Sequence, residues 1–417
     1  MSTIKSSSED LTLDADGGSS EIKLKINNVE KASISSAGAF TSTTIDATAL
    51  TGNLPAISGA SLTGLPAAGD TRQFAIDGDF TQWPEGAGPT TATGGYASAM
   101  MDFQEGTDGT MTWERSTDVP TKAESGHQST YSMLLKCTGV DSSIGAAQYQ
   151  TLARYCIMGA DFSQLHQKDV CISFWAKTSA TNAGHTNYLQ LDNQNVDRSY
   201  VKSFTPTASW AKYSFPVTFD TVGTWTNIGS DSEYSMRMLI SGSAGSDTDD
   251  GTDGAWVAGF ERHASSPAIS NFMDNTGNEW YMSQFQIKLG TSTPTFVSPS
   301  IATVKDQVDR YVQRYNLDSV NYETFCGLTC RTTTNAKATV QLRREMRGLP
   351  TVTSSAAATW TANSGGTDVA PSALAFTAGG RNGWNIDATV SGRTVGHSGY
   401  LYRNGASTTY IMFDARH

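Results

Sequence analysis

Hydrophobic and polar residues alternate near the amino terminus. In the stretch EIKLKINNVEKASISSAGAF, Ile22, Leu24 and Ile26 fall on one face of an extended chain, and Lys23 and Lys25 fall on the other. Two asparagines then interrupt the alternation, which continues beyond them. A period of two with a two-residue polar break predicts a β-hairpin or meander. The segment has too few large side chains to form a hydrophobic core alone.

From Phe74 onward, apolar β-rich runs recur at short intervals with turn-rich stretches between them. About eight strands over some 220 residues predict a jelly-roll β-sandwich. The runs are YSMLLKCTG, VCISFWAKTS, WAKYSFPVTF, YSMRMLISGS and EWYMSQFQIKLG.

The stretch SPSIATVKDQVDRYVQRYN predicts one helix, residues 299–316, between two β-rich regions. Ser298 would cap it and Pro299 would occupy its first turn. Its apolar stripe comprises Ile301, Val304, Val308, Tyr311, Val312 and Tyr315.

The last hundred residues return to strand patterns and predict a smaller β-domain. The fold class is therefore mainly β: an oligomerising N-terminal β segment, a central jelly-roll β-sandwich, a short helix and a small C-terminal β-domain. The predicted boundaries are 1–70, 71–298, 299–316 and 317–417.

The sequence LTGNLPAISGASLTGLPAAG, residues 50–69, consists largely of small residues with leucines and an isoleucine at intervals of three to five. Its prolines and glycines exclude a long helix or a central strand. It is either a floppy linker or a segment ordered by copies of itself. The regular apolar residues favour an intertwined homo-oligomer, because a solvated linker has no need of them.

The composition of the chain limits the classes of partner that the protein can bind. The 417 residues carry a net charge of −11, which opposes binding to nucleic-acid phosphates. No run of 18 apolar residues predicts a membrane span, and MSTIKSSSED lacks the apolar core of a signal peptide. The five scattered cysteines indicate free, mostly buried thiols and synthesis in a reducing cytosol.

Two parts of the chain resemble tail-fibre and other virion structural proteins of tailed phages, especially those of marine and cyanobacterial phages. They are the first 65 residues, with EIKLKINNVEKASISSAGAF…ASLTG, and roughly residues 278–417, with EWYMSQFQIKLGTSTPTF…VDRYVQRYN and CRTTTNAKATVQLRREMRGLPTVTSS. The resemblance implies a homotrimer that joins other virion proteins through its N-terminus. It also implies assembly in the host cytoplasm and a final location on the phage tail or capsid surface.

The middle region is similar to carbohydrate-binding modules, in which a late strand often supplies an aspartate to a structural calcium. Here the corresponding stretch WYMSQFQI has Ser283 and Gln284, so we expect no cofactor. The alternative calcium site is the acidic run SDTDDGTDG, since calcium prefers oxygen ligands. Asp77 and Asp79 in IDGDF form a weaker candidate. The carboxylates of the acidic run are Asp247, Asp249, Asp250 and Asp253.

No nucleophile, zinc-hydrolase or phosphate-loop motif occurs, and the six histidines are isolated. We therefore expect no enzyme and no catalytic residues. A tailspike depolymerase is the enzymatic alternative, and it would need two carboxylates facing each other across a cleft.

The residues fit binding of a host surface glycan better than they fit catalysis, because sugars stack on aromatic rings and hydrogen-bond to amides and carboxylates. Trp175 and Trp280 lie inside apolar runs and are expected in the core. The protein is thus predicted to be a phage tail fibre, and a capsid decoration or cement protein is the structural alternative. The candidate ligand-binding residues, all beside polar turns, are Trp225, Tyr234, Trp256, Asp192, Asn195 and Arg198.

Overall fold

The structure is a computed structural model, and it describes residues 22–35, 37, 40–42, 72–293, 295–317, 322–377, 379–405 and 409–416. The described residues divide between two compact units on either side of residue 67, and each unit is treated by itself. The protein is mainly β, as predicted. The predicted oligomerising segment at residues 50–69 lies outside the described residues.

The N-terminal unit contains an antiparallel sheet of three strands, β1 (Ile22–Ile26), β2 (Val29–Ile34) and β3 (Phe40–Ser42). Asn27 and Asn28 form the turn between β1 and β2 with φ angles of 51° and 65°. Two positive φ angles define the hairpin turn that matches the twist of its strands, and asparagine tolerates them. The predicted hairpin is therefore confirmed.

The second unit begins with a sandwich of thirteen strands. Their bounds are β4 (Thr90–Thr91), β5 (Gly94–Tyr96), β6 (Asp102–Glu105), β7 (Thr110–Ser116), β8 (Ser132–Gly139), β9 (Tyr149–Met158), β10 (Asp169–Thr178), β11 (Asn187–Asn193), β12 (Arg198–Phe204), β13 (Ala211–Thr218), β14 (Tyr234–Ala244), β15 (Ala255–Ala258) and β16 (Glu279–Leu289). Two short helices, α1 (Lys122–Ser125) and α2 (Gly159–Leu165), and two 3-10 turns, Ser246–Thr248 and Phe272–Asp274, lie between them.

The sandwich strands form a six-stranded sheet, β13-β10-β16-β8-β7-β4, and a seven-stranded sheet, β15-β12-β11-β14-β9-β6-β5. Alternate side chains of both sheets meet in one hydrophobic core that includes Phe174, Leu191, Met238 and Trp280. This arrangement confirms the predicted jelly-roll sandwich. Trp280 is fully buried as expected, but Trp175 is half-buried, because it alternates with the inward-facing Phe174 on β10.

The predicted helix at residues 299–316 is wrong in its second half. The helix α3 spans Ile301–Val308, and residues Val312–Leu317 form strand β17. The N-cap is Ser300, whose hydroxyl accepts a hydrogen bond from the Thr303 amide, and not Ser298. A strand forms because β17 pairs along its whole length with residues Thr409–Asp414, near the carboxyl terminus. The helical periodicity of the sequence does not reveal this pairing.

Among the described residues after α3, ten strands, a 3-10 turn and a second hydrophobic core form the rest of this unit. The strands are β17 (Val312–Leu317), β18 (Thr324–Cys330), β19 (Asn335–Gln341), β20 (Thr351–Ser354), β21 (Trp360–Ser364), β22 (Thr367–Val369), β23 (Ala373–Thr377), β24 (Gly383–Thr389), β25 (Ser398–Arg403) and β26 (Thr409–Asp414), and the turn spans Ala357–Thr359. They form a three-stranded sheet, β17-β26-β20, and a seven-stranded sheet, β22-β21-β25-β18-β19-β24-β23. The domain boundaries stay a prediction.

Arginines join these C-terminal sheets to the jelly roll. Arg416 is buried, forms ion pairs with Glu85 and Asp414, and its guanidinium carbon lies 3.7 Å from the centre of the Tyr96 ring. Three more arginines make polar contacts with the jelly roll, namely Arg310 with Asp231, Arg314 with the Pro84 carbonyl and Arg347 with the Ser232 carbonyl.

All five cysteines are free, and all but Cys326 are buried, as predicted. Among the described residues, no helix has the length and apolar character that a membrane crossing requires.

Candidate functional site

The fold brings Trp225 and Trp256 together. Trp225 lies in the loop that follows β13, and Trp256 lies on the short edge strand β15. Their ring centroids are 5.9 Å apart with an interplanar angle of 77°, which is an edge-to-face contact. Both side chains are half-buried and pack against the hydrophobic core, so two residues about thirty positions apart in the chain form one partly accessible aromatic surface.

Hydrogen bonds and stacking fix both rings. The indole N–H of Trp225 donates to the Val222 carbonyl and that of Trp256 donates to the Thr218 carbonyl, each at 2.9 Å. One face of Trp225 stacks on Phe162 of α2 with centroids 5.1 Å apart. A ring whose polar edge is satisfied and whose orientation is fixed loses little conformational entropy when a ligand stacks on it.

The loop that carries Trp225 is anchored to the start of α2. The Gly229 amide donates to the Gly159 carbonyl, and the Ala160 amide donates to the Ser230 carbonyl, both at 2.8 Å. A Cβ atom added at Gly159 would lie 1.8 Å from the Asn227 carbonyl oxygen. Only glycine therefore permits this close approach of helix and loop.

A groove continues from the two tryptophans along the open edge of the sandwich, between β12 and β13. Trp256 contacts Tyr200 with ring centroids 5.7 Å apart, and Phe204 contacts Tyr213 at 5.2 Å. We call this feature the edge groove. It has a volume of about 370 Å³ and is lined by Tyr200, Lys202, Ser203, Phe204, Lys212, Tyr213, Ser214, Phe215 and Pro216.

Two lysines contribute ammonium groups to the edge groove. Lys202 forms an ion pair with Asp253 at 2.7 Å, and the Lys212 ammonium donates to the Thr293 carbonyl at 2.9 Å. Burial lowers the pKa of Lys212. The groove thus combines aromatic rings, hydroxyls and held ammonium groups, which is the set of contacts that a saccharide uses.

Asn195 and Arg198 lie beside the Trp225 loop and support it. The side-chain oxygen of Asn195 accepts a hydrogen bond from the Thr226 hydroxyl at 3.2 Å. Arg198 forms an ion pair with Asp220, at the start of the same loop. Asn195 and Arg198 therefore lie at the same edge of the sandwich as the two tryptophans.

Asp192 and Tyr234 have a different environment. Asp192 is fully buried and forms an ion pair with Arg237. Burial raises the pKa of Asp192 to about 6, while Arg237 acts in the opposite direction. The Arg237 guanidinium also lies 5.9 Å from the centre of the Tyr234 ring. The structure therefore places Asp192 in the interior of the sandwich with its partner on a neighbouring strand, and contact of Asp192 with a ligand stays a prediction.

The acidic run does not form a metal site. Among the residues that the structure describes, no three histidine, cysteine or acidic side chains lie close enough to hold an ion. One oxygen of Asp253 accepts from the Lys202 ammonium and the other accepts from the Ser203 amide. Asp247, Asp249, Asp250 and Asp253, the predicted calcium ligands, therefore contribute to no such group.

Asp77 and Asp79 also have protein partners. The Asp77 carboxylate accepts hydrogen bonds from the amides of Thr81 and Gln82 at 2.8 and 2.9 Å. Asp79 accepts from the Ser129 hydroxyl at 2.6 Å and lies 3.0 Å from the His127 ring nitrogen. The amide of Gln284 in turn donates to Ser129 at 3.1 Å, so polar side chains of the protein itself fill this region.

No family model and no curated protein sequence matches the chain. Several solved structures are similar to it. The tandem CBM22-1–CBM22-2 domain of Paenibacillus barcinonensis Xyn10C is 10% identical with a TM-score of 0.26, and the match covers 84% of this chain and 98% of that one. The family 11 carbohydrate-binding module from Clostridium thermocellum, in complex with a β-1,3-1,4-mixed-linked tetrasaccharide, is 14% identical with a TM-score of 0.24, over 45% of this chain and 87% of that one.

The enzymatically active domain of tailspike protein 4 from bacteriophage CBA120 is 12% identical with a TM-score of 0.24. That match covers 44% of this chain and 18% of the tailspike chain.

Sequence patterns did not identify the residues of the edge groove. Tyr200, Phe204 and Tyr213 lie in strands with ordinary β patterns, and nothing in those patterns shows which strands lie at the edges of the sheets. The alternation of aromatic and polar residues in RSYVKSF and AKYSFPVT is the one available signal.

Proposed function

We propose that this protein is a tail fibre of a tailed phage and attaches to a glycan on the host surface through the edge groove and the adjoining Trp225 and Trp256. The observation that carries the binding function is the run of ring contacts from Trp225 through Trp256 to Tyr200, in which both tryptophans are fixed and half-buried. The assignment to a phage virion rests on the resemblance of the N-terminal and C-terminal sequences.

The edge groove favours binding without hydrolysis. Glycoside hydrolysis uses a pair of carboxylic acids at the scissile bond. None of the nine described residues that line the groove is acidic. We therefore propose that the fibre holds the glycan without cleaving it. Incubation with host polysaccharide should release no reducing ends, and sustained release that one aspartate or glutamate substitution abolishes would contradict this.

The binding test compares tryptophan variants. Trp225→Ala and Trp256→Ala should each weaken adsorption to host cells about tenfold or more, because an aromatic anchor commonly contributes about 1–3 kcal/mol. Trp210→Ala is the matched control. Trp210 is also half-buried, but its ring contacts Tyr281 and its N–H donates to Asp118.

Melting temperatures must show that all three variants are folded. Unchanged adsorption of folded Trp225→Ala and Trp256→Ala proteins would exclude the edge groove. Immunogold labelling of virions tests the assignment to the tail, because label on the capsid surface would indicate a decoration protein.

A further inference from the structure

A second groove lies among the C-terminal sheets, where β18 and β19 separate. These neighbouring strands pair at two positions only, Thr329 with Lys337 and Cys330 with Ala336. Their other halves pair with β25 and β24, respectively, and diverge from each other. Strand β17 of the three-stranded sheet supplies a third wall. We call this feature the C-terminal groove; its volume of about 610 Å³ is in the range of ligand sites.

Two aromatic rings form a fixed platform in the C-terminal groove. Tyr315 of β17 and Phe325 of β18 make an edge-to-face contact with centroids 5.5 Å apart. The Tyr315 hydroxyl donates to the Gln313 side chain at 3.0 Å and accepts from the Arg343 amide at 3.1 Å. Both rings are half-buried against the second hydrophobic core and line the groove, and the Arg343 guanidinium carbon lies 4.4 Å from the centre of the Tyr315 ring.

Polar side chains surround this platform. Asn316 and Gln341 are exposed amides at the wall of the groove, and Thr324 and Thr339 add exposed hydroxyls. Amides and hydroxyls both donate and accept hydrogen bonds, as sugar hydroxyls require. Rings next to such groups provide an apolar surface for the C–H groups of a pyranose.

Two arginines and one carboxylate, Glu323, line the groove, so charges of both signs are present and no strong excess of one sign favours a charged ligand. The Arg343 guanidinium makes two hydrogen bonds to the Asp309 carboxylate, at 2.7 and 3.0 Å. Arg314 donates to the Asn316 side-chain oxygen at 2.6 Å. The positive groups are thus engaged with protein partners, and the groove offers non-covalent contacts.

We propose that the C-terminal groove is a second glycan-binding site, specific for a short neutral oligosaccharide and independent of the edge groove. Two sites on one chain would let the fibre hold a host polysaccharide at two points, so that the second contact becomes intramolecular. This inference does not depend on the edge groove being a binding site.

The test uses the full chain on an array of neutral gluco-, manno- and galacto-oligosaccharides. Protein carrying Trp225→Ala and Trp256→Ala, which lacks the two tryptophans that adjoin the edge groove, should still bind at least one saccharide. Adding Asn316→Ala and Gln341→Ala should weaken that binding about tenfold, because two hydrogen-bonding partners of the sugar are lost. Thr333→Ala, an exposed site on the turn at the far end of β18 and β19, should have no effect.

The outcomes separate the two sites. Loss of all binding in the double tryptophan variant would show that the C-terminal groove binds no saccharide and would assign binding to the edge groove. Binding that the amide substitutions do not change would also overturn the proposal. If the amide substitutions abolished saccharide binding and the tryptophan substitutions did not change it, the C-terminal groove would be the binding site and the edge groove would not. A wild-type protein that binds no saccharide would contradict both.

Discussion

At the scale of single residues, Asp77 shows how burial raises the pKa of a carboxyl group. Its carboxyl group is buried at a turn, and this burial raises its pKa to about 7 despite hydrogen bonds from Thr81 and Gln82. An unfolded aspartate has a pKa of about 3.9. Between these values the folded protein binds the proton more tightly, so the free energy of unfolding falls as the pH rises, by up to about 1.4 kcal/mol per pH unit.

Asp77→Asn should therefore reduce the pH dependence of stability. The amide stays neutral, so the decrease in melting temperature from pH 5 to pH 7 should become smaller than in the wild type, as calorimetry at each pH can measure. Other buried acids contribute with the same sign, and Asp102 has its pKa raised to about 6 by burial. Asp247→Asn, at an exposed position, should keep the wild-type slope. An unchanged slope in the Asp77 variant would show that this group does not titrate in this range.

Gly159→Ala should affect both stability and binding. The added Cβ meets the Asn227 carbonyl, so the Trp225 loop must move, at a cost of about 1–3 kcal/mol. Denaturant unfolding should show the loss of stability, and adsorption should weaken with it. Gly348→Ala is the control, because a Cβ there meets no atom within 4 Å. Equal behaviour of the two variants would mean that the loop tolerates the shift.

At the scale of elements, one face of the N-terminal hairpin carries exposed apolar side chains. Three apolar pairs share that face, namely Ile22 with Ile34, Leu24 with Ala32 and Ile26 with Val29. Leu24, Ile26 and Val29 are 51%, 64% and 56% exposed. Contiguous exposed apolar side chains mark a surface for association. We propose that two further copies of the chain cover this face in a homotrimer.

Replacing Leu24 and Ile26 by glutamate should convert the trimer into a monomer, because the charges would be buried without partners at the interface. Light scattering measures the mass directly. Lys25→Gln, on the opposite face of β1, should leave the mass unchanged. A monomeric wild-type protein, or a trimeric glutamate variant, would contradict the role given to this face.

At the scale of the whole molecule, the arginine contacts couple the jelly roll to the C-terminal sheets. Arg416→Ala would leave Glu85 and Asp414 without their buried cation, and breaking a buried ion pair typically costs about 3–5 kcal/mol. Calorimetry should show one transition for the wild type, and a lower melting temperature or two separate transitions for the variant.

Arg344→Ala is the control for this change. Arg344 pairs with Asp306 at the surface, where an ion pair contributes about 0–1 kcal/mol. If both arginine variants melted like the wild type, the junction would contribute nothing to the coupling of the two parts.

Local patterns determined much of the architecture. The alternation around Asn27 and Asn28 specified a hairpin because both the strand period and the turn residues are properties of neighbouring positions. The same holds for the strands of the jelly roll, whose apolar runs coincide with β8, β10, β13, β14 and β16. The sequence also placed Trp225 and Trp256 beside polar turns, which made them candidates for a binding surface.

Long-range pairing decided the rest. Val312 and Tyr315 fit a helical stripe, but they form β17 because β26, a hundred residues away, pairs with them. The sequence made Asp192 a candidate ligand-binding residue and Asp253 a candidate metal ligand. In the structure Asp192 forms an ion pair with Arg237, and Asp253 forms one with Lys202. Both grooves exist because particular strands lie at an edge or separate from a neighbour. Sequence by itself therefore determined which segments are strands and which residues have suitable chemistry. The tertiary structure alone decided which of them meet, because strand order and register depend on contacts between residues far apart in the chain.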